Sequence, residues 1–308
     1  MDLKIDFAFK KLFGSENNKA ITIVFLNAIL KRTGRDAIKE VTFNNVEIGG
    51  NYQTDKQSRL DILVTIQDGH QINVEIQFAN KYDMVNRSIY YWSRIYSDQI
   101  LKGMPYTQLK PTIVINILNF NLISKTDLFH TSYHLYEDEE KFRIDDVLEL
   151  HFIEIPKLLM HWKEDRLDPW NDVLARWLLL LGMVDQRNQT YYEEIYKELE
   201  AIAMKDEYLQ DAFASWNEIS VEPEGLLAYR ARLKEVLDEE SFIKEAKLRE
   251  EAARVEGTEE GVQKGAQQAK EENARNFLAM DIDVETVAKG TGLSVERVRE
   301  LKEEMNLS

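Results

Sequence analysis

Three polar side chains stand in two segments that are otherwise typical of buried β-strands. Asp61 interrupts residues 60–66, which are mostly Leu, Ile and Val, and Glu75 and Gln77 lie in residues 71–78, where polar and apolar residues alternate. Because successive side chains of a strand point to opposite faces, Glu75 and Gln77 share one face. A carboxylate buried among apolar residues is costly unless it is paired or binds a metal, so Asp61 indicates a functional site.

The turn between the two segments decides whether the carboxylates meet. If residues 68–69 alone formed the loop, Asp61 would lie opposite Ile76, on the wrong face. If residues 67–69 form a three-residue loop with its glycine in the left-handed region, Asp61 lies directly opposite Glu75. We predict this second register, because the glycine stands where such a loop requires one.

Two carboxylates on adjacent strands repel each other unless a cation lies between them. Carboxylate, backbone carbonyl and water oxygens are the ligands that Mg²⁺ and Mn²⁺ prefer. The pair of Asp61 and Glu75 therefore predicts a divalent-cation site. An ordinary strand with its polar face toward solvent is the alternative interpretation of residues 71–78.

The elements that would position this site follow from the apolar periodicity of the chain. We predict helices and strands in the order α-β-β-β-α-β, which indicates an α/β core of one mixed sheet flanked by helices. The predicted helices are residues 5–13, ended by Gly14, residues 17–30 and residues 81–101, and the predicted strands are residues 41–48, 59–66, 71–78 and 111–118, with weaker strands at 133–137 and 150–155.

Beyond residue 169 the pattern is almost entirely helical. Gly257, Gly261 and Gly265 recur every fourth residue, and each costs a helix interior about 1 kcal/mol relative to Ala. This segment is therefore either a flexible linker or a helix that packs closely on another helix and permits self-association. The residues after it have the spacing of a helix-turn-helix, with Ser294 as the N-cap of the second helix. That helix carries more acidic than basic residues, which favours a protein contact over DNA reading.

Composition limits the class of protein. The 308 residues are 44% hydrophobic and 31% charged, which suits roughly two domains of about 150 residues. There is no Cys, which excludes disulfides and thiolate zinc sites and fits a reducing compartment. Residues 1–11 hold no apolar signal core, and the longest apolar stretch, 177–184, is far shorter than the roughly 20 residues of a membrane helix. We expect a cytoplasmic protein without membrane association.

The charge of the chain is unevenly distributed. The net charge is −16, yet residues 1–110 hold 15 Lys+Arg and 12 Asp+Glu, and the other 198 residues hold 24 and 43. The segment with the predicted site is therefore mildly basic and suited to lie near phosphates. Acidic helices that keep the protein soluble are the simpler explanation of the remainder.

Asp, a turn, then Glu-x-Lys across a hairpin is the signature of the PD-(D/E)XK nuclease superfamily, and here it takes the form Asp61…Glu75-Ile76-Gln77. The predicted element order resembles the core of that superfamily. The chain further resembles the Rpn family of recombination-promoting nucleases, also described as transposases, most strongly over residues 1–160. This second resemblance rests on the segments DFAFKKLFG, RLDILV, VEIQ, RSIYYWSRIYSDQI and YTQLKPTIVINIL and on the tail with Gly at every fourth residue.

The resemblance implies a restriction-endonuclease-like fold and metal-dependent cleavage of DNA. It implies that Asp61 and Glu75 hold Mg²⁺ or Mn²⁺, with the carbonyl of Ile76 as a third ligand, and that the metal activates a bound water. Gln77 would orient the attacking water. The superfamily usually has Lys at this place, and Gln can hydrogen-bond a water but supplies no positive charge.

Two residues of the first helix extend the implied site. Lys10 would compensate for the missing charge, and Asp6, one turn earlier on the same helical face, resembles the acidic residue that the superfamily often brings from its first helix. A surface ion pair is the alternative for both. On the helix predicted for residues 81–101, Arg87 and Arg94 share a face with aromatic residues that would contact nucleic acid. The alternative is an Arg paired with a carboxylate of the sheet.

We predict a nuclease domain at residues 1–160, a helical region at 161–252, a Gly-repeat helical linker at 253–275 and a helix-turn-helix-like tail at 276–308. The first hypothesis for the function is a Mg²⁺-dependent DNA endonuclease in recombination, mobile elements or defence, which forms a homo-oligomer through its tail. The second is a catalytically weak or inactive scaffold that oligomerises and regulates a partner. A strand-transferring transposase ranks lower, since such enzymes usually carry three carboxylates on another fold.

Overall fold

The computed structural model describes residues 1–44, 47–48, 58–80 and 83–306. Its helices are α1 (Asp6–Phe13), α2 (Lys19–Leu30), α3 (Met84–Asp98), α4 (Ile155–Lys163), α5 (Val173–Gly182), α6 (Glu193–Ala203), α7 (Glu207–Val221), α8 (Pro223–Ala279), α9 (Val284–Thr291) and α10 (Val295–Asn306). Its strands are β1 (Val41–Phe43), β2 (Glu47–Ile48), β3 (Ser58–Arg59), β4 (Ile62–Ile66), β5 (Gln71–Gln77), β6 (Thr112–Leu118), β7 (His130–His134), β8 (Leu148–Glu154), β9 (Val184–Asp185) and β10 (Thr190–Tyr191).

Six strands form one mixed sheet in the order β1-β4-β5-β6-β8-β7. Strands β5, β6 and β8 are parallel to one another, whereas β1, β4 and β5 pair antiparallel at one side and β7 pairs antiparallel with β8 at the other. The parallel strands are buried on both faces, as parallel sheets require. The predicted α/β core of a mixed sheet flanked by helices is confirmed.

The two faces of the sheet are covered by different helices. The even-numbered apolar residues of β5, Ile72, Val74 and Ile76, belong to one core with α1, α2 and α5. Aromatic rings fill the centre of that core, with Phe13 and Phe25 4.4 Å apart between their centroids. On the opposite face α3 packs on the sheet through smaller apolar clusters. The odd-numbered polar residues of β5 therefore lie beneath α3.

Several predicted strands have different limits in the structure. Residues 41–48 divide into β1 and β2, and β2 pairs with β3 rather than with the large sheet; residues 45–46 lie outside the described residues. The weak strand predicted at residues 133–137 is instead β7 (His130–His134). A short hairpin of β9 and β10 also interrupts the region predicted as entirely helical.

The chain divides into two compact units, Met1–Glu240 and Ser241–Ser308. In the first unit, α6, α7 and the beginning of α8 contribute to the same core as the sheet. No helix among the described residues has the length and apolar character needed to span a bilayer.

The second unit contains the helix-turn-helix that the sequence predicts. Gly292 ends α9 in the left-handed conformation with φ of 69°, and the Ser294 hydroxyl accepts a hydrogen bond from Arg297 N at 3.2 Å, which confirms the predicted N-cap. The three repeated glycines lie within the helix α8, and a Cβ atom added at each would meet nothing within 4 Å. This segment is therefore helical in the structure and is not a flexible linker. Arg297 binds Glu271 of α8 at 3.0 Å, so this cation of α10 is already paired.

Candidate active site

The hairpin of β4 and β5 has the register that brings the two carboxylates together. Ile66 N donates to His70 O at 3.0 Å, which closes a loop of residues 67–69. Gly69 has φ of 88°, a backbone conformation that glycine adopts without steric cost. Continuing the observed pairing sets Asp61 opposite Glu75. The predicted three-residue loop is confirmed.

The carboxylate of Asp61 bridges the first helix and the second strand of the hairpin. Its Oδ1 lies 2.8 Å from the Lys10 ammonium, and its Oδ2 accepts a hydrogen bond from Ile76 N at 2.9 Å. Asp61 is 9% exposed, so the ion pair is only partly screened by water. The predicted site residue of α1 is thus in direct contact with the predicted site residue of the hairpin.

The carboxylate of Glu75 lies deeper, beneath α3. Its Oε1 accepts hydrogen bonds from Asp61 N at 3.3 Å and from Asn73 Nδ2 at 3.2 Å. Its Oε2 lies 3.8 Å from Nη2 of Arg87. Glu75 is 1% exposed, which makes it the more buried of the two acids.

Burial controls the protonation of both acids, because a low-dielectric environment disfavours the charged form. Burial, together with the neighbouring charge of Asp61 and against the opposing charge of Arg87, raises the pKa of Glu75 to about 8. Burial also raises the pKa of Asp61, against the lowering effect of Lys10. Two acids with raised pKa values at one site are typical of functional carboxylates.

Gln77 and Arg87 meet above the end of β5. Nη1 of Arg87 donates to Gln77 Oε1 at 3.1 Å. The alternative that the sequence left open for the helix, an Arg paired with a carboxylate of the sheet, thus describes Arg87. Arg94 lies seven residues further along α3, and its Nε is buried without a hydrogen-bond partner among the described residues.

Asp6 has a partner that the sequence did not predict. Arg232 of α8 donates its Nε–H to both carboxylate oxygens of Asp6, at 2.8 and 3.0 Å. The two residues are 226 positions apart, and no local pattern in the sequence links them. Asp6 therefore lies at the site but pairs with α8 rather than with Lys10.

These groups border one cleft of about 410 Å³ in the first unit. Its polar lining mixes cations with carboxylates, and the buried Glu75 does not contribute to it. The residues that line the cleft are Lys4, Asp6, Lys10, Asp61, Ile76, Gln77, Phe78, Ala79, Arg87, Arg232, Val236 and Glu239. The cleft thus contains every predicted site residue except Glu75, which lies directly behind Asp61, and Arg94.

A comparison with protein-family models assigns the chain to a family. The model of the PD-(D/E)XK nuclease family transposases matches residues 3–246, which is most of the chain. The chain belongs to this family. Its mixed sheet flanked by helices fits the family, and membership supports a nuclease-like function associated with mobile elements. No curated protein and no solved structure matches the chain.

PD-(D/E)XK nucleases generally use divalent metals, and the donor chemistry of this site fits one. No group of three or more His, Cys, Asp or Glu side chains within the described parts of the chain could hold a metal ion. A cation would therefore rely on Asp61, Glu75 and backbone oxygen. These are the hard oxygen donors that Mg²⁺ and Mn²⁺ prefer. A cation would supply positive charge beside Glu75, whose pKa is raised by burial first and by the charge of Asp61 second.

Proposed function

We propose that the protein is a Mg²⁺- or Mn²⁺-dependent endonuclease that hydrolyses phosphodiester bonds of DNA. The observation that carries the proposal is the contact of Asp61 with Glu75 across the hairpin, at the wall of a charged cleft. Two acids that are buried together with cations on either side contribute little net stability, because burying charges costs desolvation free energy. Such an arrangement is suited to chemistry at a phosphate.

Each residue of the site has a role in this proposal. Asp61 and Glu75 hold the divalent cation together with the carbonyl oxygen of Ile76. When bound, the cation supplies Lewis acidity, which lowers the pKa of a bound water and offsets the charge that grows on the phosphate. Gln77 Oε1 is occupied by Arg87, so its Nε2 group is the one that orients the attacking water. In the proposed hydrolysis, attack of that water on phosphorus would form a new P–O bond and break the P–O bond to one sugar oxygen. The proton lost by the water passes to solvent, and the departing oxygen takes one from solvent to leave as a hydroxyl.

The cations of the cleft favour a polyanionic substrate. The Lys10 ammonium is 30% exposed and reaches the cleft from α1, where it can contact a phosphate oxygen that approaches Asp61. Asp6 supports the same wall of the cleft through its pair with Arg232. Arg94 is a proposed contact for the DNA backbone, which carries the charge that Arg recognises. DNA as substrate and the absence of Cys both agree with action in the cytoplasm.

We further propose that the chain forms a homo-oligomer through its C-terminal tail. The support is that Gly257, Gly261 and Gly265 are exposed on α8 with open space beside them, although each weakens the helix. Light scattering on the full chain during size-exclusion chromatography tests this proposal. A strictly monomeric mass at micromolar concentration would contradict it.

A second function is favoured by one feature of the site. Lys10 and Arg87 lie beside the two carboxylates within the protein, so part of the counter-charge of the site is present without a metal. A scaffold that has lost activity and regulates a partner would retain such pairs. This alternative predicts a folded protein with no cleavage and no metal affinity.

Plasmid nicking tests the two functions against each other. We expect purified wild-type protein to convert supercoiled plasmid to open-circle and linear forms with Mg²⁺ or Mn²⁺, and to lose this activity with EDTA. Asp61→Asn and Glu75→Gln should each abolish cleavage, since each removes a proposed metal ligand. Asp98→Asn, at an exposed position at the end of α3, is the matched control and should cleave like the wild type.

Metal titration completes this experiment. Calorimetry with Mg²⁺ or Mn²⁺ should detect binding to the wild type and to Asp98→Asn but not to Asp61→Asn. A folded wild type that neither binds metal nor cleaves under any salt condition would refute the nuclease proposal and favour the scaffold.

A further inference from the structure

The position after Glu75-Ile76 holds a neutral amide, Gln77, where the superfamily signature has a cation. A charge at this position would lie beside the carboxylate of Glu75 and beside the reacting phosphate. The structure contains a cation close to that place, but it comes from another element. Nη1 of Arg87 is 3.1 Å from Gln77 Oε1 and its Nη2 is 3.8 Å from Glu75 Oε2.

The guanidinium group of Arg87 is held in a fixed orientation. Its Nε donates to the hydroxyl of Tyr91 at 2.9 Å, one helical turn along α3, and the group lies 5.2 Å from the centroid of the same ring. The helix itself is fixed on the sheet, because Ser88 Oγ donates to Asn116 Oδ1 of β6 at 2.9 Å. Such multiple donation suits the planar fork of Arg and not the point charge of Lys.

The placement of this group distinguishes two explanations. A phosphate contact would direct free N–H groups outward, whereas Arg87 has Nε on Tyr91, Nη1 on Gln77 and Nη2 toward Glu75. Its side chain is 24% exposed, so most of the group lies within the protein.

We propose that Arg87 supplies from α3 the positive charge that Gln77 lacks, and that it fixes the amide of Gln77 for its role. This inference rests on the proposed nuclease function for its catalytic meaning. Arg87 acts through Glu75 and Gln77 and is a positioning residue. Its removal should therefore change the orientation of Gln77 and lower kcat, with less effect on the affinity for DNA.

The side-chain amide of Gln77 reports its contact with Arg87 without any need for activity. Its ¹⁵N–¹H₂ signals can be followed by NMR in ¹⁵N-labelled full-length protein, with the signals assigned by their loss in Gln77→Leu. We expect Arg87→Met to shift these signals, because the hydrogen bond from Nη1 to Gln77 Oε1 at 3.1 Å is lost. Arg87→Lys should restore part of the shift, and the exposed Arg35→Met should leave the signals unchanged. Unchanged signals in folded Arg87→Met would overturn the proposal.

Moving the positive charge from position 87 to position 77 tests the role of Arg87 in cleavage. We expect Arg87→Met to reduce kcat for plasmid cleavage by about 10–100-fold, within the range of one positioned polar group, and to change KM much less. In the double variant Gln77→Lys/Arg87→Met, Lys takes the position that the signature gives it, and at least a tenfold recovery over Arg87→Met is expected.

The outcomes of the two experiments are distinguishable. An increase in KM with a reduced salt dependence and an unchanged kcat would assign Arg87 to the DNA backbone and overturn the positioning role. No recovery in a folded double variant would do the same. If the wild type does not cleave but the signals of the Gln77 amide shift as expected, the nuclease proposal fails while the contact of Arg87 with Gln77 stands.

Discussion

Replacing Glu75 by Gln should change how the stability of the fold depends on pH. Burial raises the pKa of Glu75 from its ordinary value of 4.5 to about 8. The folded chain therefore binds this proton more tightly than the unfolded chain. Its contribution to stability is fully present below pH 4.5, and it is lost progressively as the pH rises to about 8. The amide of Gln is neutral throughout and removes this loss.

The magnitude follows from the size of the pKa change. One pKa unit corresponds to about 1.4 kcal/mol, so a change from 4.5 to about 8 sets an upper limit of roughly 5 kcal/mol. The ion pair of Glu75 with Arg87 at 3.8 Å is lost in the variant, and coupling with Asp61 spreads the titration. We therefore compare the free energy of unfolding of Glu75→Gln with that of the wild type at each pH. This difference should be roughly 2 kcal/mol or more in favour of the variant at pH 9 compared with pH 5.

Urea denaturation followed by circular dichroism measures this difference. Wild type, Glu75→Gln and the exposed control Glu40→Gln would be unfolded at pH 5, 7 and 9 in EDTA, which keeps divalent metal out of the comparison. The difference in free energy of unfolding between wild type and Glu75→Gln should change with pH in the variant's favour. A constant difference at all three pH values would refute the conclusion that Glu75 is protonated more tightly in the folded state.

Three further outcomes are expected. Lys10→Met removes the ammonium that lies 2.8 Å from Asp61 Oδ1, so calorimetry should show tighter Mg²⁺ binding while plasmid cleavage falls about tenfold. Weaker Mg²⁺ binding would contradict the idea that Lys10 and Mg²⁺ compete for Asp61. Gly69→Ala places a Cβ on a backbone with φ of 88°, 3.3 Å from Lys110 Cγ. Thermal unfolding should show that the free energy of unfolding falls by about 1 kcal/mol or more. An unchanged Tm would contradict the expected backbone strain. Excess Mg²⁺ at pH 8 should raise the Tm of the wild type and not that of Asp61→Asn, since a cation that binds only the folded state stabilises it; equal shifts would place the cation elsewhere.

The hairpin could be predicted from sequence because its information is local. Alternation along residues 71–78 fixes the faces, and one glycine in the loop selects between two registers. The structure has the selected register, in which Ile66 N donates a hydrogen bond to His70 O. The order of the sheet elements followed from equally local periodicity, whereas the division of residues 41–48 into two strands did not.

The partners of the site carboxylates could be predicted only in part. The sequence left Lys10 undecided between compensating for the charge that Gln77 lacks and forming a surface ion pair. It left Arg87 undecided between nucleic acid and a carboxylate of the sheet. Arg232 follows Asp6 by 226 residues on a helix whose sequence is rich in charged residues throughout. Nothing in its local pattern sets it apart, because the contact arises from tertiary packing of α8.

The distribution of charge around the hairpin explains how this site differs from its superfamily signature. One cation next to Glu75 in sequence is replaced by two from separate helices, Lys10 on Asp61 and Arg87 on Glu75 with Gln77. Each carboxylate then has its own counter-charge, which reduces the repulsion between them when no metal is bound. Lys10 contacts an oxygen of Asp61 that the proposed cation would need, whereas Arg87 is held by Tyr91. Under the proposed function we therefore expect a bound metal to displace Lys10 toward the substrate and to leave Arg87 in place.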